Sequence, residues 1–157
     1  RRASGVGVRP GWVRGGWLSA RYPAWTVVAA PEMGAFGYAF HGKVLDVCGL
    51  VSPEAIPYLP VSPAERVAPY TGAIATQLVL DLQPDLVVSM QLFKSKSLHL
   101  SKTFENQYQL VAECALPHQL WLSHSIEVFE RRTGVVRLPV NSPSVTPPPL
   151  KVLDPTL

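Results

Sequence analysis

Two short apolar segments, each followed by a Pro-Glu helix start, constrain the fold of this chain more than any other feature. Residues 25–30 and 43–47 are mostly apolar, and Pro31-Glu32 and Ser52-Pro53-Glu54 follow them. Proline is favoured at the first helical position, where its missing N–H would have no partner, and the glutamate lies near the positive end of the helix dipole. Strands that alternate with helical turns are typical of an α/β domain.

The second half of the chain extends this pattern. Residues 73–82 have helical apolar spacing, with Thr71 as a candidate N-cap, and Pro84 ends that helix. Residues 85–90 form a strand apolar enough to be buried on both faces. Residues 91–103 carry basic side chains and are expected to form an exposed connection. Residues 104–115 and 124–132 are expected to be two longer strands that pair as an antiparallel edge.

We therefore predict an α/β fold, with a small, mostly parallel sheet that has an antiparallel edge hairpin and is flanked by short helices. At 157 residues the chain has room for one ordinary core. The predicted organisation is a basic, poorly ordered leader at 1–16, an α/β domain at 17–132 and a proline-rich tail at 133–157.

Charge and hydropathy limit the possible partners. The net charge is +3, and arginines are concentrated near the start of the chain, at Arg1, Arg2, Arg9, Arg14 and Arg21. Such arginines could contact nucleic-acid phosphates or lie at the headgroup level of a membrane. They could also belong to a leader that binds no ligand. No nucleic-acid-binding motif follows them, so no nucleic-acid partner is expected. The longest stretch without charged side chains is the 14 residues 67–80, too short for a membrane span.

Four motifs follow one another at plausible spacing, and any one alone would be weak. They are Pro31-Glu32-Met33-Gly34-Ala35-Phe36-Gly37-Tyr38, residues 44–54, Pro84-Asp85-Leu86-Val87-Val88-Ser89 and Glu127-Val128-Phe129-Glu130-Arg131. Together, over residues 17–132, they resemble the soluble C-terminal segment of polytopic bacterial GT-C glycosyltransferases, relatives of the dolichyl-phosphate-mannose protein mannosyltransferases.

The resemblance implies a non-catalytic, extracytoplasmic soluble module of a membrane glycosyltransferase that transfers sugar from a lipid-linked donor. In that family the catalytic acids lie in loops between transmembrane helices, so none is expected here. The implied partner is the transmembrane portion of a parent protein, with a lipid-linked sugar or its acceptor as candidate ligand. The segment would be membrane-associated only through that parent.

The candidate binding residues are Glu32, Tyr38, Asp46 and Asp85. An alternative function is an independent small α/β enzyme or ligand-binding domain, which needs Glu32, Asp46 and Asp85 to converge in one pocket. A third is an interaction domain without a ligand. No cofactor or metal is expected, because the glycines lack dinucleotide-loop spacing and the histidines lack zinc-site spacing. Cys48 and Cys114 are expected to be buried thiols, and a disulfide between them stays open.

Overall fold

The computed structural model describes residues 10–31, 34–120 and 122–139. Within these residues one sheet contains five strands, and α-helices and 3-10 helices connect them. The strands are β1 (Val27–Ala30), β2 (Lys43–Asp46), β3 (Leu86–Met90), β4 (Tyr108–Leu120) and β5 (Ser123–Arg131). The α-helices are α1 (Pro10–Ser19), α2 (Gly34–Ala39), α3 (Thr76–Leu82), α4 (Gln91–Lys94) and α5 (Lys102–Gln107), and the 3-10 helices are Pro53–Tyr58, Pro63–Glu65 and Leu98–Leu100.

The sheet has a parallel half and an antiparallel half. Its strand order is β2-β1-β3-β5-β4. β1 pairs in parallel with β2 and β3, whereas β5 is antiparallel to both β3 and β4. Four strands therefore run in one direction and β5 runs against them. The predicted α/β class and the antiparallel edge hairpin are confirmed.

Successive side chains of the central strands point to opposite faces of the sheet, so each face carries its own cluster of apolar side chains. Val87 of β3 packs in a cluster with Leu78 and Val79 of α3 and with Phe104 of α5. Leu86 and Val88 point the other way, into a cluster with Leu18, Tyr22, Phe36 and Phe40 on and after α1 and α2. All five residues of β3 are buried. Helices thus cover both faces of the strand at the centre of the sheet.

The first described helix crosses the predicted boundary between leader and domain. Helix α1 begins at Pro10 and packs against α2, so residue 17, where the domain was predicted to begin, lies inside a helix. A glycine-rich sequence has weak helix propensity, and the tertiary contact with α2 overrides it. Residues 1–9 and 140–157, with the rest of the expected leader and most of the expected tail, lie outside the described residues.

Three other predictions need correction. Phe104 was placed in a strand, but it lies in α5, where the Ser101 hydroxyl caps the helix by accepting a hydrogen bond from the Phe104 N–H at 3.2 Å. Lys94 was placed in an exposed connection, but it is only 6% exposed. Helix α3 begins at Thr76 rather than near residue 73, and Gln83 ends it in the left-handed conformation just before Pro84.

The contact between α1 and α2 depends on one glycine of a pair. A Cβ at Gly15 would lie 2.7 Å from the Ala39 carbonyl carbon, from Ala39 Cβ and from the Phe40 nitrogen, whereas a Cβ at Gly16 would meet nothing within 4 Å. The backbone of α2 cannot yield as a flexible side chain would. Helix packing therefore requires glycine at position 15 and not at position 16.

We expect Gly15→Ala to lower the free energy of unfolding by about 1–3 kcal/mol, as overpacked cores do. Gly16→Ala should raise it by up to about 1 kcal/mol, because alanine is the better helix former. Urea unfolding of both variants checks this. Equal effects of the two substitutions would contradict the close approach of α1 to α2.

Candidate functional site

Asp46 closes the loop that follows β2. Its side chain is fully buried, and it accepts hydrogen bonds from three backbone N–H groups: Cys48 to Oδ1 at 2.9 Å, and Leu50 and Val51 to Oδ2 at 2.7 and 3.0 Å. The Asp46 N–H in turn donates to the Ser52 hydroxyl at 2.9 Å. This carboxylate is occupied by its own loop and has no exposed oxygen to offer a substrate.

Asp85 is also engaged, at the other end of the parallel strands. Its Oδ2 accepts the Val27 N–H at 2.9 Å, and its Oδ1 accepts from Arg131 Nη2 at 2.8 Å. The Arg131 N–H donates to the Asp85 carbonyl, also at 2.9 Å. Asp85 therefore joins the start of β1 and the end of β5 to the start of β3.

The structure does not bring these two carboxylates together. Asp46 is paired with Ala30 at the carboxyl end of β1, whereas Asp85 binds Val27 at its amino end. Three residue steps along β1 separate the two levels, roughly 10 Å at 3.3 Å per residue. Tyr38 is 74% exposed on α2, and Glu32 lies outside the described residues. As binding residues, all four stay predictions.

A third buried carboxylate, Glu130, anchors the chain that follows β5. It accepts hydrogen bonds from the Tyr22 hydroxyl at 2.7 Å, from Arg137 Nε at 2.8 Å and from Arg137 Nη2. Burial by itself raises the pKa of Glu130, but the hydrogen bonds from Arg137 and Tyr22 outweigh it and hold that pKa below its usual value. Burial also raises the pKa of Tyr22, and the bond to Glu130 adds to the rise.

Lys94 and Glu127 form a buried ion pair on the opposite face. Lys94 Nζ lies 2.9 Å from Glu127 Oε2, with side chains only 7% and 10% exposed. The ammonium also lies 5.3 Å from the centre of the Phe129 ring. A lysine ammonium has three N–H donors. Among the described residues, no hydrogen-bond acceptor other than Glu127 is present for them.

A cleft of about 440 Å³ lies over this pair, between α5 and the hairpin; we call it the α5 cleft. Its floor is aromatic: Phe104 and Tyr108 stack with ring centres 4.7 Å apart, and Phe129 meets Phe104 edge-on at 5.4 Å. Polar side chains surround that floor. The lining residues are Lys94, Leu98, His99, Phe104, Glu105, Tyr108, Gln109, Leu110, Phe129 and Arg132.

The rim of the α5 cleft carries one exposed guanidinium. Arg132 Nη1 lies 3.5 Å from Gln109 Oε1, and Nη2 lies 3.4 Å from the Glu105 carbonyl oxygen, both long for hydrogen bonds. No carboxylate pairs with Arg132 among the described residues. Its donors are therefore only weakly engaged by the protein.

The described part of the chain shows no metal site, membrane-spanning helix or disulfide. No group of three or more His, Cys, Asp or Glu side chains there is arranged to hold a metal ion. None of the described helices has both the length and the apolar character needed to cross a bilayer. Cys48 and Cys114 are half-buried rather than fully buried, and no disulfide joins these two described residues.

Comparison with known proteins gives a family. Residues 7–135 match the family described as "Domain of unknown function (DUF8728)". The chain belongs to this family. No curated protein and no solved structure matches the chain. The DUF8728 match begins before α1 and ends after β5, so both the sheet and the α5 cleft lie inside it.

Sequence reasoning missed the polar residues of this DUF8728 domain that lie on the hairpin. Ser123, Ser125 and Glu127 alternate along β5 and are all buried on one face. That period-2 polar pattern inside a strand was the available signal, because a buried polar face needs partners from elsewhere in the fold. Lys94 gave no comparable signal, since its burial depends on where α4 packs.

The loop at Asp46 predicts a large effect from an isosteric change. Asp46→Asn replaces one carboxylate oxygen by an NH₂ group that must face backbone N–H donors, so we expect a loss of about 2–4 kcal/mol in the free energy of unfolding. Asp81→Asn, at an exposed position of α3, is the matched control and should cost less than about 1 kcal/mol. Chemical denaturation measures both, and similar losses would contradict the role assigned to Asp46.

The buried ion pair predicts strong coupling between its partners. Lys94→Met leaves the Glu127 carboxylate buried without a counter-charge and should cost about 3–5 kcal/mol, whereas Lys94→Met with Glu127→Leu should be close to the wild type. A double-mutant cycle by urea unfolding, with Glu127→Leu as the other single variant, gives the coupling energy. Additive losses would show that the two charges do not depend on each other.

Proposed function

We propose that this chain is a non-catalytic module of a membrane glycosyltransferase that transfers sugar from a lipid-linked donor. The non-catalytic part of the proposal rests on one observation: Asp46 and Asp85 are both hydrogen-bonded within the domain. Asp46 is held by three backbone N–H groups, and Asp85 is held by Val27 and Arg131. A general base needs an oxygen that can reach a substrate proton, and these two side chains stabilise the backbone instead.

The glycosyltransferase part of the proposal is supported by the four sequence motifs. The first begins directly after β1 and includes most of helix α2, and the second covers most of β2 and its loop. The third covers most of β3, and the fourth covers the second half of β5. The motif residues thus build the sheet and the loops at its edges. A segment whose characteristic residues are structural suits a module that acts beside a catalytic portion carried elsewhere in the protein.

An extracytoplasmic position and attachment through a parent protein belong to the same proposal. The transmembrane portion of that parent is the proposed partner, and the lipid-linked sugar or its acceptor is the proposed ligand. The alternative, an independent α/β enzyme, requires Asp46 and Asp85 to share a pocket with Glu32. Their positions at opposite ends of β1 argue against this arrangement.

Cell fractionation tests the proposal. An antibody raised against the chain is expected to detect, in source cells, an integral membrane protein that resists alkaline carbonate and has a mass far above that of 157 residues. Protease added to sealed right-side-out vesicles should digest the epitope while a cytoplasmic marker survives. A carbonate-extractable species with the mass of the chain alone would overturn the proposal.

The purified chain provides a second test. Incubated with a polyprenyl-phosphate sugar and acceptor peptides, it should transfer no sugar, because Asp46 and Asp85 are both engaged by the protein. Transfer that is abolished by Asp85→Asn in a folded protein would favour the enzyme alternative.

A further inference from the structure

The α5 cleft combines an aromatic floor with a polar rim. Its volume of about 440 Å³ lies in the range of small-molecule sites. The floor is formed by Phe104, Tyr108 and Phe129; the first two are buried, Phe129 is half-buried, and the Tyr108 hydroxyl is bound to the Pro84 carbonyl at 2.8 Å. The rim carries the Glu105 carboxylate and the Arg132 guanidinium.

The donors and acceptors of this cleft are incompletely used by the protein. Lys94 is more than nine-tenths buried and lines the cleft, yet its ammonium has one acceptor, Glu127, for three N–H donors. Arg132 makes only long contacts. Glu105 forms no ion pair among the described residues. A ligand that both accepts and donates hydrogen bonds would satisfy all three groups.

The charge balance decides which ligand class fits. Lys94 is neutralised by Glu127 at 2.9 Å, and the rim adds one cation, Arg132, and one anion, Glu105. The charges of the lysine, arginine and glutamate side chains therefore balance. An anionic ligand would gain from Arg132 and Lys94 but would be repelled by Glu105 and Glu127, so charge gives it no clear advantage. A neutral polyhydroxylated ligand meets no such opposition.

We propose that the α5 cleft binds a neutral saccharide. Sugar hydroxyls can accept hydrogen bonds from the Lys94 ammonium and the Arg132 guanidinium and donate to the Glu105 carboxylate. The apolar face of a pyranose ring can pack on Phe129, the half-buried ring of that floor, as apolar groups do on aromatic rings. Neither the DUF8728 match nor the four motifs assign this site.

The proposed function names a sugar as candidate ligand without a site, whereas the α5 cleft is a specific site that does not depend on membrane attachment. A carbonate-extractable protein that binds a saccharide in the α5 cleft would overturn the membrane proposal and leave this site intact. An integral membrane protein whose cleft binds no saccharide would do the reverse. The two proposals can therefore fail separately.

Amide NMR titrations of the full chain test the site. The probes are maltohexaose, cellohexaose, mannohexaose and chitohexaose, with glucose 1-phosphate and inorganic phosphate as anionic comparisons. At least one neutral probe should give saturable shifts concentrated at the lining residues of the α5 cleft. No saturable shift with any of the four saccharides overturns the proposal, and so does stronger binding of inorganic phosphate.

Matched variants identify the groups responsible. Arg132→Ala and Glu105→Gln should each weaken binding by about tenfold, the effect of losing a hydrogen bond to a charged group. Lys96→Ala and Glu54→Gln change the same kinds of exposed charge outside the cleft and should leave the affinity unchanged. Both rim residues are exposed, and thermal unfolding checks that the variants stay folded. Equal affinity in all four variants would place binding outside the cleft and overturn the proposal.

Discussion

The carboxylate of Asp85 joins the two halves of the sheet, and the rest of the domain depends on that junction. It holds the amino end of β1 through the Val27 N–H and the end of β5 through the Arg131 guanidinium. Beside it, the Pro84 carbonyl accepts the Tyr108 hydroxyl at the start of β4. One turn before β3 thus fixes three other strands. Because this end of the sheet is only partly exposed, each of these charged or polar contacts is shielded from water and strengthened.

Burying a charge is costly unless it is paired and hydrogen-bonded, and the domain meets that requirement in three different ways. Asp46 is satisfied by backbone N–H groups, Glu130 by side chains from two distant segments, and Glu127 by a single lysine. The pairing of Glu127 with Lys94 is the least complete of the three. Glu127 also faces Glu113 across the β4–β5 ladder, and like charges at such positions repel. Lys94, which also lines the α5 cleft, offsets that repulsion.

The sequence predicted the parallel half of the sheet well, because its signals are local. The apolar runs before Pro31 and Ser52 and the β-branched run after Pro84 could form little other than short buried strands. What failed depends on tertiary contacts. The glycine-rich start of α1 is helical because Gly15 lets it approach α2, and Phe104 is helical because Ser101 caps its backbone. Neither fact can be derived from apolar periodicity.

The candidate site could not be predicted for a related reason. The predicted binding residues flank strands of the parallel half, where open α/β sheets usually bind ligands. In this chain the loop of Asp46 occupies the carboxyl end of β2, and the α5 cleft opens instead over the antiparallel hairpin. Its members come from α4, the 3-10 helix Leu98–Leu100, α5, β4, β5 and the residue after β5. The two partners of its ion pair are also far apart in sequence, since Lys94 precedes Glu127 by more than thirty residues. The ligand chemistry of this domain therefore resides in the half of the sheet whose register is set by hairpin pairing, while the motifs that a sequence displays most clearly build the half that supports it.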